Sequence, residues 1–125
     1  MDKKICLDTD VCIAIINRKG PYQNLLTKLL YSRVFISTIS LFELFLRTTN
    51  MEPVEKFIKD LEILDFDSTS ARKASEVRKA LKSEGKEIEI RDLFIASTAI
   101  INDCTLATLN IKDFKNIKDL KLLEF

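Results

Sequence analysis

The stretch ICLDTDVCI, residues 5–13, joins an apolar run directly to two carboxylates, Asp8 and Asp10. Apolar residues resume at Val11, so the acids interrupt what would otherwise be one buried segment. The run KKICLD predicts a short buried strand, and VCIAIINR predicts a brief helix that ends before Gly20. A strand that ends in acids and passes at once into a helix is typical of α/β proteins, whose ligand sites lie at the carboxyl ends of their strands.

The rest of the chain alternates between strand-like and helix-like segments in the same way. Strands are predicted at 33–37 (RVFIS), 63–67 (ILDFD), 104–110 (CTLATLN) and 120–125 (LKLLEF). Helices are predicted at 22–31, 38–49, 52–62, 70–85 and 91–103, and a turn at 113–117 (DFKNI). This alternation predicts a three-layer α/β/α sandwich with a central, mostly parallel sheet of short strands, in a single domain that covers residues 1–125.

Two of the predicted helices differ in their expected burial. The segment 70–85 is amphipathic, and its small and apolar residues are expected to face inward: Ala71, Ala74, Val77 and Leu81. The segment 91–103 is apolar on nearly every side, so we expect it to be buried.

The composition excludes several kinds of chemistry. The chain has no histidine, which removes histidine-based general base catalysis, Ser-His triads and histidine-bound zinc. The 20 Lys and Arg residues nearly balance the 19 Asp and Glu residues, so net charge indicates no class of partner. Any chemistry must therefore use carboxylates, hydroxyls, amines or a metal held by oxygen.

The cysteines and the hydropathy pattern bear on location. The chain has three cysteines, an odd number without paired spacing: Cys6, Cys12 and Cys104. We therefore expect reduced thiols and a cytoplasmic protein. The charged start MDKKIC reaches Asp8 without a long apolar run, and no signal peptide is expected. No apolar run approaches the ~20 residues of a membrane-spanning helix, so no membrane association is expected.

Acidic and amide side chains follow several of the predicted strands. Asp8 ends the first strand, Glu43 lies in the helix after the second, Asp92 begins the buried helix, and Asn110 and Asp113 follow the fourth strand. If the strands are parallel, these side chains converge on one edge of the sheet. Carboxylates packed together repel one another, and a divalent cation removes that cost. Oxygen ligands without His or Cys favour Mg²⁺ or Mn²⁺ over zinc.

The acids in the first half of the chain also have purely structural interpretations. Asp8 is a plausible N-cap for the following helix, and Asp10 is best interpreted as a first-turn acid favoured by the helix dipole. Glu43 has Arg47 one turn later, which allows an ion pair along the helix. However, Glu43 lies inside LFELFL, where its near neighbours are apolar.

The later residues are similarly ambiguous when taken one by one. Asp92 is also suited to the positive end of its helix dipole. Asn110 has the character of a turn residue, and Asp113 that of an ordinary surface acid. The joint pattern is more informative than any single acid.

The order of four short motifs resembles a known family. LDT near the start, then SLFEL, IRDLFIASTA and TLNIKDF, resemble the PIN-domain ribonucleases, in particular the VapC-like toxins of prokaryotic toxin–antitoxin pairs. The resemblance covers almost the whole chain. It implies a PIN-like nuclease domain and Mg²⁺- or Mn²⁺-dependent endonucleolytic cleavage of RNA. It also implies that Asp8, Glu43 and Asp92 form the metal site and belong to the catalytic set.

The resemblance assigns further roles and leaves one position open. Thr9 matches the hydroxyl residue that follows the first Asp in that family, and Thr108 matches a threonine that ends the fourth strand. A fourth acid usually comes shortly afterwards. Here that position holds Asn110, which offers only a neutral oxygen, and the next acid is Asp113. Either residue is a candidate to complete the catalytic set, Asp113 directly or through water.

The resemblance also implies partners. RNA is the expected substrate, and Arg47 and Arg91 are the basic residues closest in sequence to the acids. Arg47 occupies a position where many relatives have Gly. A homodimer and a VapB-like antitoxin that plugs the acidic groove are expected. Apolar residues of the early helices are candidates either for those contacts or for the core: Leu25, Leu26, Leu29, Leu30, Tyr31, Phe57 and Ile58.

Two other function classes fit parts of the sequence. Asp8, Asp10 and Val11 match the opening Asp-x-Asp-x-Val of haloacid-dehalogenase-like phosphatases, where the first Asp is the nucleophile and the second a general acid. Those enzymes have a flap-forming loop after the first strand, whereas here a helical run follows directly. The other class is a non-catalytic PIN-like module that binds RNA or protein. Such modules commonly lose acids that this chain retains.

Overall fold

A parallel sheet forms the centre of the molecule. The computed structural model describes residues 3–125. Within these residues, five strands form one sheet: β1 Lys3–Leu7, β2 Ser32–Ser37, β3 Glu62–Leu64, β4 Thr105–Ala107 and β5 Lys121–Leu122. The helices are α1 Thr9–Asn17, α2 Tyr22–Leu29, α3 Thr38–Phe45, α4 Met51–Ile58, α5 Ser68–Ser83, α6 Ile90–Ile101 and α7 Ile111–Phe114. The predicted α/β class is confirmed.

The strand order β3-β2-β1-β4-β5 places β1 at the middle of the sheet. Every pairing between these strands is parallel, so the sheet is more uniform than the mostly parallel one that the sequence predicts. Leu7, the last residue of β1, is in register with Ile36 of β2 and Ala107 of β4. The carboxyl ends of the three central strands therefore lie side by side, with the residues after them at one edge.

Alternation along β1 creates the two cores of the sandwich. Cys6 lies in a buried cluster with Phe35, Leu106 and apolar residues of α5 and α6. Its neighbours Ile5 and Leu7 lie in a second cluster with residues of α1, α2, α3 and α4. Successive strand residues point to opposite faces, so an apolar run without polar alternation is what a strand covered on both faces requires. The three layers are those that the sequence predicts.

The segment predicted as a turn at 113–117 is helical at its start, where α7 makes one turn. The Asp113 and Lys115 backbone amides donate to the carbonyls of Asn110 and Ile111, and Phe114 is 1% exposed within the first core. A single turn is too short to show helical periodicity, so the sequence pattern missed it. The buried Phe114 ring holds the segment in place.

The predictions for α3 and α5 also need correction. The helix predicted at 38–49 ends at Phe45. The amides of Leu46 and Arg47 donate to carbonyls three residues before them, and the chain then leaves the helix. On α5, Ala71 is exposed rather than inward-facing, while Ala74, Val77 and Leu81 are buried as predicted. The buried face continues instead through Ser70, which precedes Ala74 by four residues and therefore lies on the same side of the helix.

The three cysteines lie within the two cores. Cys6, Cys12 and Cys104 are buried and unpaired. Burial raises the pKa of each of these thiols. Within residues 3–125, none of the helices combines the length and the apolar character that crossing a membrane requires.

Candidate active site

Asp8 lies where β1 meets α1, at the carboxyl edge of the sheet. Its backbone amide donates to the carbonyl of Ala107 at 2.9 Å, which extends the β1–β4 pairing by one residue. Its side chain caps α1, because Oδ1 accepts a hydrogen bond from the Thr9 backbone amide. The other oxygen, Oδ2, accepts from the Thr108 hydroxyl at 2.7 Å. Asp8 is thus an N-cap and a strand-end acid at once, and the two interpretations do not exclude each other.

Thr108 links the fourth strand to Asp8. It is 1% exposed, and its hydroxyl also accepts from the Asn110 backbone amide at 3.0 Å. This relay fixes one oxygen of Asp8 against the turn that follows β4. Thr108 therefore contacts Asp8 directly.

Thr9 connects α1 to α3. Its hydroxyl donates to Glu43 Oε1 at 2.6 Å and lies 3.0 Å from the hydroxyl of Ser40. Ser40 is fully buried on the same face of α3, one turn before Glu43. The sequence analysis did not identify Ser40. A polar residue three positions before an acid, inside an apolar helix, is the signal that would have found it.

The second oxygen of Glu43 is held by Arg91. Arg91 Nη1 lies 3.1 Å from Glu43 Oε2, and Arg91 Nη2 lies 2.9 Å from Oε1 of Glu89. Helical spacing also allows an ion pair between Glu43 and Arg47, but within residues 3–125 Glu43 pairs with Arg91 instead. Arg47 instead follows the end of α3, since the helix stops at Phe45. An arginine distant in sequence therefore satisfies Glu43.

Asp92 and Asp113 share a small cavity of about 190 Å³ between the start of α6 and α7. Glu89, Lys112 and Asn116 also line it. Asp113 is exposed in the first turn of α7, as expected of a surface acid, but its charge acts on Asp92. Asp8 and Glu43 do not line this cavity, although both charges also act on Asp92.

Asp10 has more contacts than the helix-start interpretation predicts. It lies in the first turn of α1, as expected. Its Oδ2 also accepts hydrogen bonds from the Leu109 backbone amide at 3.2 Å and from Asn110 Nδ2 at 2.9 Å. Its Oδ1 is buried and accepts none within residues 3–125. Asp10 therefore ties the turn after β4 to α1, which the sequence pattern did not reveal.

The electrostatics of this edge are those of crowded, partly buried acids. Burial raises the pKa of Asp8, against the hydrogen bonds from Thr108 and Thr9. Burial, and then the charge of Asp8, raise the pKa of Asp10 to about 7. Burial, followed by the charge of Asp8 and of other nearby acids, raises the pKa of Asp92 to about 6. These acids each prefer a proton or a cation to full, isolated ionisation.

The acids offer the type of ligand atom that a hard divalent cation prefers, but their side chains are not arranged around one point. Asp8, Glu43 and Asp92 offer carboxylate oxygens only, a donor set that suits Mg²⁺ or Mn²⁺. In the arrangement that residues 3–125 adopt, however, no three acidic or cysteine side chains are close enough together to hold a metal ion. Glu43 is engaged by Thr9 and Arg91 instead. Cation binding therefore requires side-chain rearrangement.

The raised pKa values predict how the cation-free protein responds to pH. Acids whose pKa is higher in the folded than in the unfolded chain destabilise the fold when ionised, so stability rises as pH falls through about 7 and 6. With no histidine in the chain, few other side chains titrate there. We expect a gain on the order of 1 kcal/mol between about pH 8 and pH 6, after allowing for solvent screening.

Thermal melts in chelator across that range measure this gain. Asp10→Asn should reduce the slope, because it removes one of the titrating groups. A melting temperature that falls as the pH is lowered from about 8 to 6 would be inconsistent with these pKa directions.

Comparisons with known proteins agree with this geometry. The family model described as PIN domain matches residues 5–120. Ribonuclease VapC2 of Rickettsia felis is 36% identical over 125 residues, with 93% of each chain covered. The tRNA(fMet)-specific endonuclease VapC of Salmonella typhimurium is 31% identical, with 95% of this chain and 96% of the relative covered. The solved structure of VapBC2 from Rickettsia felis bound to a promoter DNA fragment superposes with a TM-score of 0.85 at 33% identity, covering 98% of each chain.

Proposed function

The chain belongs to the PIN domain family, and we propose that it is an endoribonuclease that hydrolyses phosphodiester bonds in RNA with a divalent cation. We further propose that it is the toxin of a toxin–antitoxin pair. The observation that carries the proposal is the meeting of Asp8, Thr9 and Glu43 at the carboxyl edge of the sheet. Asp92 lies near enough that the charges of Asp8 and Glu43 raise its pKa. Relatives that match along nearly their whole length are named as a ribonuclease and a tRNA endonuclease, which supports it.

Asp8, Glu43 and Asp92 are the residues proposed to hold the cation, with Mg²⁺ and Mn²⁺ the candidates. When bound, such a cation supplies activation of the attacking water and stabilisation of the charge that develops on the phosphodiester. Asp113 is the nearest further acid in the Asp92 cavity and is proposed to assist there. Asn110 is engaged with Asp10 through its amide nitrogen, which leaves its amide oxygen as the group it can offer.

The hydroxyl residues are proposed to position the acids. The Thr108 hydroxyl fixes Oδ2 of Asp8, and the Thr9 hydroxyl fixes Oε1 of Glu43. Each hydrogen bond goes to one oxygen, so each carboxylate keeps a defined orientation before substrate arrives. Catalytic groups held in a defined orientation contribute to rate without forming a covalent bond to the substrate. Arg47 and Arg91 remain the proposed contacts to the RNA backbone.

The proposed protein partners have exposed apolar surface available to them. Leu26, Leu30 and Tyr31 are exposed at the end of α2 and after it, and Phe42 and Phe45 are exposed on α3. Leu25 is fully buried and belongs to the core. Exposed apolar groups of this kind are common at protein interfaces. We propose that a VapB-like antitoxin and a second copy of the chain bind here, since the solved VapBC2 structure resembles this fold.

The phosphatase alternative loses support from the junction after β1. Helix α1 begins at Thr9, immediately after Asp8, and leaves no loop between them to form a flap. Asp10 is bound by Leu109 and Asn110. That arrangement suits a structural acid better than a general acid that must reach a leaving group.

The proposal predicts strict dependence of RNA cleavage on a divalent cation. Purified protein freed of any antitoxin should cleave RNA with Mn²⁺ or Mg²⁺ and should lose all cleavage above background in EDTA, with recovery when the cation is restored. Gel analysis of end-labelled RNAs measures this. The set of RNAs should include tRNA(fMet), because a 31% identical relative is named for it.

The same assay separates the alternatives. Hydrolysis of a small phosphate ester without RNA cleavage would favour the phosphatase. RNA binding without any cleavage would favour the non-catalytic module. Cleavage that persists in EDTA would contradict the proposed role of the cation.

A further inference from the structure

Glu43 has no free carboxylate oxygen in this structure. Oε1 accepts from the Thr9 hydroxyl at 2.6 Å, and Oε2 pairs with Arg91 Nη1 at 3.1 Å. The Glu43 side chain is 20% exposed, so the pair is only partly screened by solvent. A cation that took Glu43 as a ligand would have to share an oxygen with one of these contacts or displace it.

Arg91 is placed between two acids on different elements. Its Nη1 reaches Glu43 on α3, while Nη2 and Nε lie 2.9 Å and 3.3 Å from Oε1 of Glu89, the residue that precedes α6. Its own position is one residue before Asp92, in the first turn of α6. The contacts with Glu89 would therefore hold the guanidinium at the edge of the site if its contact with Glu43 were broken.

From this geometry we propose that Arg91 is a positioning residue that occupies Glu43 when no cation is bound and competes with the divalent cation for it. The inference rests on the proposed cation site and adds a built-in competitor to it. The guanidinium supplies one positive charge among Glu43, Glu89 and Asp92, where a divalent cation would supply two. Arg91 thus stabilises the cation-free protein at the expense of cation affinity.

The competition couples cation binding to the Arg91–Glu43 contact, and each weakens the other. If Arg91 and the cation exclude each other at Glu43, removal of Arg91 must raise cation affinity by the same factor by which the cation weakens the Arg91–Glu43 contact. A partly exposed ion pair shifts an equilibrium by roughly two- to fivefold. Removal of a repelling positive charge next to the site acts in the same direction.

The test is Mn²⁺ binding to the full chain, measured by the electron paramagnetic resonance signal of free Mn²⁺. Arg91→Gln should bind Mn²⁺ about threefold or more tightly than wild type, and Arg91→Lys should lie between them. Arg33→Gln is the matched control, because Arg33 is as exposed as Arg91 and forms an ion pair with Glu62, outside the site. It should bind Mn²⁺ as wild type does.

Thermal melts provide the second readout. In EDTA, Arg91→Gln should melt below wild type, and saturating Mn²⁺ should remove most of that difference. Equal or weaker Mn²⁺ binding by Arg91→Gln, while wild type binds normally, would overturn the role of Arg91 and leave the cation site intact. Absence of Mn²⁺ binding by wild type and by every variant would instead overturn the cation site, and the competition with it.

Discussion

Asp8→Asn is expected to reduce RNA cleavage by about 10²- to 10³-fold, the scale of loss that follows removal of one preorganised electrostatic group from an active site. The substitution keeps the size of the side chain but removes its negative charge. Asparagine can keep the helix cap by accepting from the Thr9 amide, while its Nδ2 donates to the Thr108 hydroxyl, which can also act as an acceptor. The loss should therefore appear in the cleavage rate and not in the fold, as checked by the initial rate on one RNA and by circular dichroism.

Asp10→Asn is the control, because it removes a nearby carboxylate charge outside the proposed set of ligands. Asp10 lies two residues away and is also partly buried, but its observed contacts are to Leu109 and Asn110. An asparagine oxygen can accept from either group, so cleavage should fall by less than about tenfold. Equal, severe losses in both variants would instead match a mechanism in which the two acids act as nucleophile and general acid.

Phe114→Ala is expected to have the largest effect on stability. The ring is 1% exposed and lies in the core beneath α5 and α6. Truncation of a buried Phe to Ala typically costs about 3–5 kcal/mol, because apolar contacts are lost and a cavity remains. Urea unfolding monitored by circular dichroism measures the change in the free energy of unfolding.

Ile111→Ala tests whether that cost arises from burial. Ile111 begins the same short helix but is 43% exposed. Its truncation should cost less than about 1 kcal/mol. Similar losses for Ile111→Ala and Phe114→Ala would indicate that α7 is held by its backbone and not by the Phe114 ring.

The architecture could be predicted because the apolar patterns were strong. A run such as ICL, with no polar alternation, indicates a strand covered on both faces, and Cys6 and Leu7 do lie in separate cores. The helices α5 and α6 are long enough for their periodicity to be read. The single turn α7 is too short for that, and its buried Phe114 acts through tertiary contacts that local sequence does not encode.

The sequence pointed to acids near the ends of the strands, but it did not show which groups contact them. Strand-end position pointed to Asp8, and an acid within LFELFL pointed to Glu43. Helical spacing suggested Arg47 as the partner of Glu43, yet the chain leaves α3 before that pair can form, and Arg91 takes the place. Ion pairs between elements distant in sequence depend on how those elements pack. The link from Asp10 to Asn110 was missed for the same reason.

The central claim is that the acids at the carboxyl edge of the sheet hold a divalent cation for RNA cleavage. Its most direct test is the initial rate of cleavage of one RNA as a function of Mn²⁺ concentration, for wild type, Asp92→Asn and Asp119→Asn. Asp119 is an exposed acid paired with Lys73 on another face. Wild type and Asp119→Asn should follow the same saturating curve, and Asp92→Asn should stay at background at every concentration. Cleavage by Asp92→Asn at the wild-type rate, or a wild-type rate that does not depend on Mn²⁺ after chelation, would contradict the claim.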